Sequence, residues 1–82
     1  MQKIMIIEDD PAIREELALL LKNEGYTPLM VTEFTDVPGQ AAQERPDLIL
    51  LDIGLPGKDG FSLCAALQKA VPAPVISITF HL

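Results

Sequence analysis

At 82 residues and 49% hydrophobic, the chain has room for one small domain with a thin core and none for a second. Twelve acids against six bases give a formal net charge of −6, which disfavours direct contact with nucleic acid, because phosphate binding needs clustered Lys and Arg. The single cysteine, Cys64, excludes an internal disulfide, and no apolar run approaches a membrane span.

The start, MQKIMIIEDD, has too short an apolar run for a signal peptide and meets acids at once, so the expectation is a soluble cytoplasmic protein. KIMII then predicts a first strand. PAIREELALLLKNEG predicts a helix with Asp10 as N-cap, Pro11 at its first position, Ile13, Leu17, Leu20 and Leu21 on its apolar face, and Gly25 past its end. YTPLMVT predicts a weaker strand, and Pro28 within it argues for a sheet edge because it removes a ladder donor.

In EFTDVPGQAAQER, Pro38 and Gly39 allow only a short helix that starts near Asp36. PDLILLD predicts a central strand, GFSLCAALQKAV a helix burying Phe61, Cys64, Leu67 and Val71, and APVISIT a fourth strand. Apolar runs alternating with amphipathic stretches are the signature of an α/β fold with an open parallel sheet.

In such sheets, functional groups gather beyond the carboxyl ends of the strands, where the winding reverses. The first strand runs into Glu8, Asp9 and Asp10, and the third ends in Asp52. If those strands are neighbours, the acids converge, and carboxylates held together repel unless a cation compensates. Mg²⁺ fits such a set, since it prefers oxygen ligands and uses a few carboxylates together with phosphate. Shielded in this way, Asp52 becomes a candidate nucleophile toward a phosphoryl group.

IMIIEDD, PDLILLDIGLPGKDGF and PVISIT, in this order and spacing, resemble the receiver domain of two-component response regulators. The resemblance covers all but the last three residues. It implies a flavodoxin-like fold in which Asp52 accepts a phosphoryl group from a sensor histidine kinase. It further implies that Asp9 binds Mg²⁺ directly, Glu8 mainly through water, and the Gly54 carbonyl completes the protein ligands. Thr79 falls on the family's switch hydroxyl, and LPGKDG matches the loop after the phosphorylated strand.

The chain also departs from that pattern. The family's fourth helix, fifth strand and fifth helix are absent from residues 1–82, so the expectation is an incomplete receiver. The family's phosphate-binding lysine has no counterpart, and Lys58, in the loop after Asp52, does not replace it. Phe80 follows Thr79 where the family usually has a small residue. Impaired switching is therefore expected. Without a fifth strand, PVISI is expected to form an apolar edge that pairs with a second copy, directly or by exchange of elements.

Plainer roles compete for each residue. Asp52 in isolation is a strand-end cap, and Glu8 and Asp9 are surface acids favoured by a helix dipole. Thr79 is an ordinary strand residue, Cys64 a small core residue and His81 a solvated terminal side chain. Two further functions compete with the switching receiver. One is a non-switching interaction or dimerisation module. The other is a metal-dependent phosphohydrolase, weakened because such enzymes usually carry an acid two residues after the nucleophile, where this chain has Gly54.

Overall fold

The computed structural model describes residues 2–52 and 60–78. In chain order these form β1 (Lys3–Ile7), α1 (Pro11–Asn23), β2 (Thr27–Met30), α2 (Val37–Glu44), β3 (Leu48–Asp52), α3 (Gly60–Ala70) and β4 (Val75–Ile78). All strand pairings are parallel, and the sheet order is β2-β1-β3-β4. The expected α/β open parallel sheet is thus present, with Pro28 on an edge strand and β3 inside the sheet. The winding reverses between β1 and β3, as an acid site at their ends requires.

Each helix is bounded by the chemistry of its ends. At α1, the Asp10 carboxylate accepts from the Ala12 N–H at 2.9 Å, and Pro11 opens the helix. At the far end Gly25 takes φ +91°, the Gly25 N–H donates to the Lys22 carbonyl, and the Tyr26 N–H donates to that of Leu21. This pair of bonds is the Schellman arrangement, and its left-handed residue is why a glycine stands there. Helix α2 is short, as Pro38 and Gly39 predict, and its cap Asp36 accepts from the Gly39 N–H at 3.2 Å.

Alternate residues of the strands face opposite sides of the sheet. Met5, Ile7, Ile49 and Leu51 join Val31, Val37, Ala41, Leu67 and Val71 in one buried cluster under α2 and α3. Ile4 and Ile6 turn to the other side, where α1 packs over β1 and β2 and buries Ala18. The register aligns Ile6, Leu50 and Ile76 across that second side. Burial there fades toward the edge, since Ile6 is fully buried, Leu50 half-buried and Ile76 46% exposed.

Two predicted core positions are corrected. Phe61 is 74% exposed, because α3 buries Gly60 and Leu67, and Phe61 stands one residue, about 100° of rotation, on from Gly60. Leu20 is 59% exposed, because α1 turns Ala18 to the sheet and a residue two positions on faces nearly the opposite way. Among the described residues, no helix is long and apolar enough to cross a membrane.

Candidate metal centre

The site lies at the carboxyl ends of the two inner strands. Ile7 pairs with Leu51, so the next residues, Glu8 and Asp52, stand level at the strand ends. Asp9 follows in the short turn into α1. One ligand oxygen each from Glu8, Asp9 and Asp52 lies within 4.8 Å of the others. Asp9 is exposed, whereas Asp52 is 8% and Glu8 1% exposed. The acids thus combine an open side with a buried floor.

Glu8 is buried and under electrostatic stress. One carboxylate oxygen, Oε1, accepts from the Asp10 N–H at 3.0 Å. The other, Oε2, is buried with no hydrogen-bond partner among the described residues. Burial raises its pKa from the ordinary 4.5 to about 7; the Asp52 and Asp9 carboxyls push the same way, and the Asp10 N–H pulls it down. A buried anionic oxygen lacking a partner is costly, and a cation seated among the acids would satisfy it.

Three carboxylates and that orphaned oxygen therefore suit a hard divalent ion, which takes oxygen ligands and retains waters on its open side. Cysteine or histidine ligands, which would favour zinc or softer metals, do not join this group among the described residues. The sequence-predicted Glu8, Asp9 and Asp52 are brought together. Asp10 serves as the α1 cap. Gly54, Lys58 and Thr79 lie outside the described residues.

Sequence reasoning did not single out Arg14. Its guanidinium Nη1 donates to the Glu8 carbonyl at 3.1 Å and, at a long 3.5 Å, to the Val31 carbonyl. No signal in the sequence marked it; in the structure it lies on the half-buried side of α1 with Ile13, Leu17 and Ala18.

The family model for the response regulator receiver domain matches residues 4–82. The chain belongs to the response regulator receiver family. It is similar to the transcriptional regulatory protein YxdJ of Bacillus subtilis, with 39% identity over 79 residues, 96% of this chain and 34% of YxdJ. The N-terminal domain of the nisin resistance regulator NsrR superposes with a TM-score of 0.84 at 39% identity, covering 94% of this chain and 65% of that one. A chain in the crystal structure of histidine kinase ThkA with response regulator protein TrrA superposes at 0.77 and 29% identity, covering all of this chain and 72% of that one.

This chain therefore spans about a third of the curated relative and about two thirds of the solved NsrR domain. As a receiver domain of the response regulator family, it is a signalling domain. The four-stranded parallel sheet with three helices is the receiver fold over the described residues.

Proposed function

We propose that Asp52 accepts a phosphoryl group from a sensor histidine kinase, with Mg²⁺ held by Glu8, Asp9, Asp52 and the Gly54 carbonyl. The observation that carries this reading is the convergence of Glu8, Asp9 and Asp52 at the strand ends with a buried oxygen of Glu8 left unsatisfied. Kinase partnership draws support from the ThkA–TrrA complex, whose matched chain resembles this one.

When bound, the divalent ion supplies charge neutralisation among the acids and polarises the phosphoryl oxygens. Asp52, fixed at the end of an inner strand, presents its carboxylate to the phosphorus with little freedom to lose. A carboxylate oxygen forms the new O–P bond as the P–N bond to the donor histidine breaks, the electron pair leaves on the imidazole nitrogen, and Asp52 carries a mixed anhydride. Thr79 is assigned the switch hydroxyl. A cytoplasmic location goes with this reading. With a net charge of −6, these residues are not expected to touch nucleic acid themselves.

The test uses acetyl phosphate as donor, with the product mapped by mass spectrometry. The expected result is one phosphoryl group on Asp52 that requires Mg²⁺ and is absent in Asp52→Ala. Incorporation that survives Asp52→Ala would refute the assignment.

A second reading rests on β4. Its outer edge has no strand partner among the described residues, and Ile76 beside it is 46% exposed. An apolar strand edge is a template for pairing. A second copy, paired through β4, would bury Ile76 and continue the sheet, which gives an interaction module whether or not Asp52 is phosphorylated. Light scattering should report a dimer that Ile76→Lys converts to monomer. A folded wild-type monomer at high concentration would dismiss the pairing.

A further inference from the structure

The turn from β1 into α1 is only three residues long, and all three, Glu8, Asp9 and Asp10, are acids. Repulsion within such a turn favours peptide rotations that spread the carboxylates apart, whereas a metal site needs two of them aimed inward. Something must hold the backbone. The Asp10 N–H restrains the Glu8 carboxylate, yet the Glu8 carbonyl lies beyond the regular pairing of β1 with β2.

Beyond that pairing the Val31 N–H donates to the Ile6 carbonyl at 3.1 Å. By the two-residue repeat of a strand, the next β1 carbonyl toward the same edge is that of Glu8. It accepts instead from Arg14 Nη1, which also reaches toward the Val31 carbonyl at the end of β2. The Arg14 backbone N–H donates to the Asp10 carbonyl at 2.9 Å, the first bond of α1, which holds the Arg14 side chain beside the acidic turn. Guanidinium is permanently charged, and its hydrogen bonds are stronger than those between neutral partners.

We propose that Arg14 is a positioning residue of the acidic site: its guanidinium pins the Glu8 carbonyl to the end of β2 and so fixes the turn that presents Glu8 and Asp9 to a divalent cation. The proposal rests on the metal reading above. It extends the site by a residue that touches neither metal nor phosphoryl group and acts only through the Glu8 backbone. Partners outside a metal's own ligands commonly change affinity by about 10–100-fold when removed.

The experiment follows thermal unfolding of the full chain across a Mg²⁺ titration, which yields a dissociation constant from the stabilisation, and repeats it in EDTA. Arg14→Met keeps the apolar stem and removes the donor; it should weaken Mg²⁺ binding by about tenfold or more. Arg14→Lys keeps a charged donor on a different stem and should recover most of that loss, to within about threefold of wild type. A purely structural arginine would lower the melting temperature in EDTA and leave the Mg²⁺ dissociation constant unchanged, which would overturn the proposal. If Arg14→Met does not fold, Arg14→Gln, which lacks the charge and reach of the guanidinium, takes its place: a weaker dissociation constant supports positioning, and one equal to wild type refutes it. Absence of any Mg²⁺ response in the wild-type chain would instead overturn the metal reading on which the proposal stands.

Discussion

The two faces of the sheet are built from alternate residues of the same strands, yet they are finished differently. Under α2 and α3, Met5, Ile7, Ile49, Leu51 and Leu67 form a closed core. Under α1 the aligned row of Ile6, Leu50 and Ile76 goes from buried to open within three strands. One helix covers β1 and β2 on that side, and nothing among the described residues covers β4 there. Apolar sequence alone therefore does not reveal stability: Leu51 and Ile76 are both strand aliphatics, and only one has neighbours all round. The acids stand at the carboxyl ends of the two inner strands, where both faces end.

The largest effect should separate the faces directly. Leu51→Ala is expected to cost about 3 kcal/mol by leaving a cavity in the closed core, while Ile76→Ala should cost less than about 1 kcal/mol, both read from denaturant unfolding. Equal losses would break the comparison.

Next comes the buried acid between the faces. Glu8 has a pKa of about 7 in the folded chain against an ordinary 4.5. The folded state therefore holds the proton more tightly, and stability falls as pH rises through the interval between those values. The penalty is absent at lower pH and complete above about pH 7, where it amounts to about 3 kcal/mol in order of magnitude. Glu8→Gln should remove that pH dependence and, without divalent ions, leave the variant more stable than wild type at pH 8 by about 2 kcal/mol. A wild-type stability that rises over this range would oppose the assignment.

Smaller effects concern how the covering helices begin. A Cβ at Gly39 would overlap the Asp36 carboxylate that caps α2. Gly39→Ala is thus expected to destabilise by about 1 kcal/mol despite the better helix propensity of alanine. Asp10→Ala should cost up to about 1 kcal/mol through loss of the α1 cap. If the α1 side matters as little to stability as its open row suggests, this loss will be the smaller of the two by thermal unfolding.

The strands, the edge position of β2 and the caps were legible in the sequence because each has a local cause: an apolar run, Pro28, and Asp10 before Pro11. The meeting of Glu8, Asp9 and Asp52 was legible because winding reversal is a rule of parallel sheets. The orientation of α1 and α3 was less so, since both carry apolar residues nearly all round, and Leu20 and Phe61 offered no contrast to mark the buried stripe. Arg14 was not legible as part of the site. Its role depends on a single carbonyl lying past the end of a strand ladder, which only the register of β1 with β2 reveals.

The most direct test of the acidic site is thermal unfolding with and without Mg²⁺ and beryllofluoride, comparing the wild-type chain with Asp9→Ala and Asp52→Ala. The account predicts that Mg²⁺ raises the wild-type melting temperature, that beryllofluoride raises it further, and that both gains vanish in Asp52→Ala while Asp9→Ala loses the Mg²⁺ gain. Wild-type protein that unfolds cooperatively with no response, or gains that persist in both variants, would contradict it.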